Sequence, residues 1–135
     1  MAKRYREMVA EAELEIETID VTGLLALQAD PTVQIVDIRD PRELERDGMI
    51  DGADHCPRGM LEFWIDPESP YHKPMFAQDR KFVFYCATGL RSALAAKLAQ
   101  DMGLPNVAHL GGGFAAWRDQ GAAIVSKPSR KEGRA

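Results

Sequence analysis

A cysteine, a glycine and an arginine stand within one short run, Cys86-Ala87-Thr88-Gly89-Leu90-Arg91. The segment before it, Phe82-Val83-Phe84-Tyr85, is apolar and aromatic and reads as a buried strand. The segment after it, Ser92 to Met102, is rich in Ala and Leu and reads as a helix. A thiol at the end of a strand can then be wrapped by the backbone N–H groups of the loop. The helix N-terminus behind it carries partial positive charge, and Arg91 adds a full one. Such surroundings favour a thiolate and hold an anion that is bound to the sulfur or attacked by it. A cysteine that only fills a core needs none of Thr88, Gly89 or Arg91 around it.

The elements that must position this loop alternate along the chain. Residues 1–16 form an amphipathic helical extension with apolar positions at Met8, Ala12 and Ile16, and its basic start reads as a solvated helix end. Glu17-Thr18-Ile19 reads as an entry strand, and Asp20 caps a short helix over Val21 to Leu27. Thr32 to Ile38 is a β-branched, buried strand. Asp40, Pro41 and Glu43 start a second helix that Gly48 stops. Met49 to Ala53 reads as a turn, Asp54 to Cys56 as a short strand, and Arg58 to Ile65 as helical. Asp66 to Pro74, with three prolines, is an irregular loop. Val107 to Leu110 is a further strand, and Gly111-Gly112-Gly113 turns sharply into a last helix anchored by Trp117. Residues 17–125 make the domain, and the polar residues 126–135 read as a disordered tail.

Strands alternating with helices call for a parallel sheet covered on both faces, with the site beyond the carboxyl ends of the strands. That rule brings Asp37, Arg39, the Cys86–Arg91 loop and the three glycines to one rim, where the sulfur is expected to be exposed. The 135 residues suit one domain. A formal net charge of −4 argues against a nucleic-acid partner, and no apolar run reaches the length of a membrane span. The N-terminus lacks the apolar core of a secretory signal, and Cys56 and Cys86 show no metal or disulfide-framework spacing. A reducing cytoplasm is the expected compartment.

With these residues placed, the chain resembles the rhodanese-like sulfurtransferases over about residues 17–125. Four stretches carry the resemblance: Ile35 to Glu43, Met49 to Pro57, Cys86 to Ser92 and Leu110 to Trp117. It implies a three-layer α/β/α sandwich on a five-stranded parallel sheet. It also implies an enzyme of the thiosulfate sulfurtransferase type, in which Cys86 takes a sulfane sulfur from a donor such as thiosulfate. The persulfide so formed passes its sulfur to a thiol or cyanide acceptor. A sulfur-accepting protein is a further candidate partner, and no cofactor or metal is called for. The family's usual His is replaced here by Met49, which bears on the packing of that turn.

The candidate catalytic residue is Cys86, with Ala87, Thr88, Gly89, Leu90 and Arg91 as the substrate-binding cradle. Arg91 has two readings: it binds the oxyanion end of the donor, the preferred one, or it turns to pair with an acidic group such as Asp37. Arg58 is a second donor-binding candidate, and Asp37 and Arg39 are expected to support the loop. Cys56 is read as a buried cysteine in preference to a resolving one, and His55, His72 and His109 as surface or packing residues. No general base is required on this reading. The rivals are a persulfide carrier or binding module for a partner protein, and a cysteine-dependent phosphatase or arsenate reductase. By resemblance the phosphatases carry a loop one residue longer than the six residues from Cys86 to Arg91.

Overall fold

In the computed structural model, which describes residues 2–127, five strands form one parallel sheet. In chain order the strands are β1 (Glu17–Ile19), β2 (Val33–Asp37), β3 (Met49–Ile50), β4 (Asp54–His55), β5 (Lys81–Tyr85), β6 (Val107–Leu110) and β7 (Ile124–Val125). The sheet order is β1-β6-β5-β2-β4, so β5, which leads into Cys86, lies at the centre. Its residues are apolar without alternation because both of its faces are covered. Phe82 and Phe84 point to one layer of helices, and Val83 and Tyr85 to the other.

The first layer holds α1 (Tyr5–Glu15), α4 (Leu61–Ile65) and α5 (Leu90–Asp101). The opposite layer holds α2 (Val21–Leu27) and α6 (Gly113–Asp119), which bring Leu24, Phe114 and Trp117 against the sheet. The three-layer α/β/α sandwich is therefore the observed architecture. The capping residues work as their types require. Asp20 accepts from the Gly23 amide at 2.8 Å. Asp40 and Glu43 form a reciprocal capping box at the start of α3 (Pro41–Asp47).

Three local expectations are corrected. Met49-Ile50 is not a turn: it is strand β3, paired antiparallel with β7, which closes the domain after α6. The buried stripe of α1 is Val9 and Ala12, continued by Ile16, and Met8 is exposed. Those three positions keep the three- and four-residue steps of one helix face. α5 starts at Leu90, not Ser92, with Gly89 in the left-handed conformation at its cap (φ 98°). The tail expected to be disordered lies, from residue 128 on, outside the described residues. No helix among the described residues is long and apolar enough to cross a membrane.

Parallel register sets the rim. Asp37 is level with Tyr85, and His109 is level with Phe84. The Ile38 amide donates to the Tyr85 carbonyl at 3.1 Å, which carries the β2 end alongside the Cys86 loop.

Candidate active site

Cys86 leaves β5 at the carboxyl edge of the sheet, and the loop closes back over its sulfur. The Gly89 amide donates to Sγ at 3.2 Å and the Ser92 amide at 3.4 Å. Both belong to the entrance of α5, so the sulfur sits where the helix presents its free N–H groups. Of the expected cradle, Gly89 reaches the sulfur. The second amide comes from Ser92, one residue past the predicted range. Ala87 is half-buried, and Thr88 and Leu90 are exposed along the loop's outer edge.

The loop keeps this shape because α6 holds it from behind. The Phe114 amide donates to the Cys86 carbonyl at 2.8 Å and the Ala115 amide to the Ala87 carbonyl at 3.0 Å. A side chain at Gly113 would place its Cβ 2.6 Å from the Cys86 oxygen, so only glycine lets α6 approach this closely. Gly113 also takes a positive φ of 60°. The run of glycines thus lets one helix start cap the carbonyls of the cysteine loop.

One expectation about the sulfur is corrected. Cys86 is 1% exposed and lies at the base of the loop, not open at the sheet edge. A ring drawn in to 3.2 Å around the sulfur necessarily covers it. The ring is nonetheless closed on the sulfur, which is the arrangement that anion binding requires.

Arg91 follows the second of its two readings, with a different partner. Its two terminal nitrogens donate to the two Glu43 oxygens, each at 2.9 Å. Asp37 is unavailable because Arg39 already occupies it. The Arg39 Nε lies 3.0 Å from Asp37 Oδ1, and its Nη2 lies 2.8 Å from Oδ2. That pair is buried, as expected of loop support, and the guanidinium stacks 4.2 Å above the Phe114 ring. The Gly48 carbonyl accepts the remaining Arg39 Nη2 hydrogen at 2.7 Å. Arg58 is not gathered into the site. Its guanidinium pairs with Glu62 at 2.9 Å and lines a groove between α1 and α5 of about 350 Å³.

The Arg91–Glu43 pair ties the loop to α3 and depends on pH. Hydrogen bonds from Arg91 hold the Glu43 carboxyl at about 2, below its ordinary 4.5, with burial opposing. A depressed acid stabilises the fold above its unfolded value, and that stabilisation is lost as pH falls from about 4.5 to about 2. Glu43→Gln keeps an acceptor for the capping box but loses the ion pair. We expect the urea midpoint of the wild type to fall more steeply than that of Glu43→Gln between pH 5 and pH 2.5, roughly the window this pair titrates in. Parallel slopes would show that the pair contributes nothing to the fold.

Cys56 is fully buried, and burial pushes its thiol up to about 12, which suits a core residue and not a resolving thiol. Trp117 is fully buried and Trp64 partly so. Sequence reasoning missed Ser92 and His109. Ser92 Oγ lies 3.5 Å from Cys86 Sγ and 3.0 Å from His109 Nδ1. A hydroxyl directly after Arg91 was the available signal for Ser92. Nothing in the local sequence marked His109.

The architecture defines the class first: an α/β sandwich with a cysteine held in a backbone loop at the carboxyl edge of its sheet. The chain belongs to the rhodanese-like domain family, whose model matches residues 20–120. It is 33% identical over 104 residues to the thiosulfate sulfurtransferase GlpE of Shewanella oneidensis, covering 77% of this chain and 94% of that protein. It is 34% identical over 94 residues to the "Probable adenylyltransferase/sulfurtransferase MoeZ" of Mycobacterium tuberculosis, 70% of this chain. There the match spans only 22% of the relative's length. A solved structure from Rhodopseudomonas palustris is 60% identical, with a TM-score of 0.90, covering 93% of this chain and 96% of that one. It is described as a protein of unknown function and possible tyrosine phosphatase. Other relatives are likewise named as sulfurtransferases, among them a mitochondrial one from Saccharomyces cerevisiae that is 30% identical over 123 residues.

Proposed function

We propose that this protein is a thiosulfate sulfurtransferase, or one using a similar donor, that works through a persulfide on Cys86. The observation that carries the reading is the convergence of the Gly89 and Ser92 amides on Cys86 Sγ at the start of a twelve-residue helix. The thiolate attacks the outer sulfur of thiosulfate, the S–S bond of the donor breaks, and sulfite leaves with that bond's electron pair. The outer sulfur of the persulfide then lies about 2 Å beyond Sγ, toward whatever enters the loop. A thiol or cyanide acceptor attacks it, and Cys86 departs as a thiolate into the same two N–H groups. Those donors are in place before either step, so neither step reorganises them, which is the advantage of a preorganised anion site.

Arg91 in this reading braces the loop through Glu43 and contributes its positive charge nearby, without a direct hydrogen bond to the sulfur. Ala87, Thr88 and Leu90 form the edge that a donor must pass. A thiol protected in this way suits a reducing compartment such as the cytoplasm. An acceptor protein would reach the persulfide over the same edge. Residues 17–125 are the functional domain, with residues 1–16 as an extension whose helix α1 lies against α5.

By resemblance the phosphatases carry a loop one residue longer, so the six-residue loop favours this reading over the phosphatase description of the Rhodopseudomonas protein. The test is direct. Incubation with thiosulfate should add about 32 Da, one sulfur atom, at Cys86 in the intact-mass spectrum, and cyanide should remove it. p-Nitrophenyl phosphate should not be hydrolysed. Phosphate release with no sulfur adduct would reverse the assignment.

A further inference from the structure

The buried polar groups behind Cys86 form a line that runs from the sulfur to the protein surface. Cys86 Sγ lies 3.5 Å from Ser92 Oγ, which lies 3.0 Å from His109 Nδ1. On the far side of the ring, His109 Nε2 lies 3.1 Å from Thr18 Oγ1 and 3.4 Å from Glu13 Oε2. Ser92 and His109 are buried, whereas the Glu13 side chain is 43% exposed on α1. Glu13 and Thr18 both precede residue 20, where the family match begins, so this line uses parts of the chain that the match does not reach.

The donors and acceptors along the line have one consistent direction. A carboxylate only accepts, so Glu13 fixes the Nε2–H form of the imidazole. His109 Nδ1 is then an acceptor and takes the Ser92 hydroxyl hydrogen. Ser92 Oγ in turn has a lone pair free for the Cys86 S–H. Every group points its proton away from the sulfur. Burial lowers the proton affinity of His109, and the Glu13 carboxylate opposes this by favouring the imidazolium that would form. The titratable groups facing the ring are Glu13 from α1 and Cys86 from the loop. β1 contributes the Thr18 hydroxyl, and β5 presents the apolar Phe84 level with it.

We propose that Ser92, His109 and Glu13 are a proton relay that draws the Cys86 proton away from the sulfur. The S–H bond breaks and leaves its electron pair on Sγ. That proton joins Ser92 Oγ, and the proton Ser92 held passes to His109 Nδ1. The resulting imidazolium faces the Glu13 carboxylate, so the charge separated in the interior is balanced at both ends. Nothing is oxidised or reduced, and the proton returns along the same line when Cys86 is released as a thiolate. Ser92 touches the reacting atom and is catalytic; His109 and Glu13 act through it and are positioning residues. The inference deepens the Cys86 persulfide reading, and rests on it for the use made of the thiolate. It also gives α1 a part in the chemistry.

The test measures thiolate supply without any sulfur donor. Iodoacetamide alkylation of the full-length protein is followed from pH 5 to pH 9.5, a range of roughly the ordinary His and Cys titrations, with Cys86 and Cys56 separated by peptide mass. His109→Asn keeps a hydrogen-bond partner for Ser92 but accepts no proton. It should slow Cys86 alkylation at pH 7 about tenfold, as should Ser92→Ala, with recovery toward the wild-type rate at the alkaline end. Glu13→Gln should slow it about threefold by removing the counter-charge. Should the buried variants not fold, the half-exposed Glu13 position decides the matter. A wild-type pH profile in the folded variants overturns the relay. The two readings fail separately: an altered alkylation profile with no thiosulfate adduct sinks the persulfide reading and leaves the relay standing. A normal adduct with an unaltered profile does the reverse.

Discussion

Cys86→Ser is expected to abolish sulfur loading while leaving the fold in place. The serine oxygen occupies nearly the same space and still accepts the Gly89 and Ser92 amides, so the loop keeps its hydrogen bonds. The Phe114 and Ala115 amides continue to hold the loop carbonyls, since these contacts involve backbone alone. What is lost is chemistry. A hydroxyl is far less acidic than a thiol, is a weak nucleophile toward divalent sulfur, and would be a poor leaving group in the second half-reaction. Turnover of thiosulfate with cyanide should fall on the order of a thousandfold or more, as for removal of other covalent nucleophiles. The intact-mass spectrum should show no gain. Cys56 should not substitute, because its thiol is pushed up to about 12 and its sulfur faces the Pro57 carbonyl where Cys86 faces amides. Full activity in Cys86→Ser, or an adduct on Cys56, would remove Cys86 from the mechanism.

Asp37→Ala should do most damage to the fold itself. It leaves the Arg39 guanidinium, 1% exposed, without its carboxylate. Breaking a buried pair from one side costs about 3–5 kcal/mol. A domain of this size has only about 5–15 kcal/mol of stability, so the urea midpoint should drop by roughly a fifth or more. The damage should spread to the site. Arg39 stacks on Phe114, and the Phe114 amide holds the Cys86 carbonyl. Sulfur loading should therefore slow even in the fraction that stays folded. The double replacement Asp37→Leu with Arg39→Met removes both charges and should recover part of the stability, because two apolar side chains of similar bulk carry no desolvation cost. Equal and additive losses in the double-mutant cycle would show that the pair is not coupled.

Which parts of this molecule can be read locally follows from how far apart the cooperating residues lie. The apolar run of β5, the cap at Asp40 and Pro41, and the glycines before α6 act on neighbours a few positions away, and their residue types declare their roles. The fold class follows from the alternation of such segments, and Cys86 at a strand end followed by Gly89 and a helix start carries its chemistry in a single stretch. Partner choice is different. Arg91 had several acidic groups to choose from, and it meets Glu43, 48 positions away, only because Arg39 has already closed on Asp37. β3 becomes a strand only because β7 arrives beside it.

His109 shows the limit most clearly. By itself it is one histidine in an apolar strand, which is ordinarily a packing residue. The parallel register of β6 on β5 sets it level with Phe84, two residues before Cys86, the first turn of α5 brings Ser92, and α1 brings Glu13 from the other end of the chain. The order of residues was enough to specify the nucleophile, its backbone loop and the sandwich that carries them, because propensity and hydrophobic pattern act over short separations. How deep the sulfur lies, which carboxylate each arginine takes, and that a buried hydroxyl and imidazole stand behind the thiol emerge only from the packed layers. Those outcomes depend on distances in space between residues remote in the chain, and they are settled when the layers close and each buried polar group must find a partner.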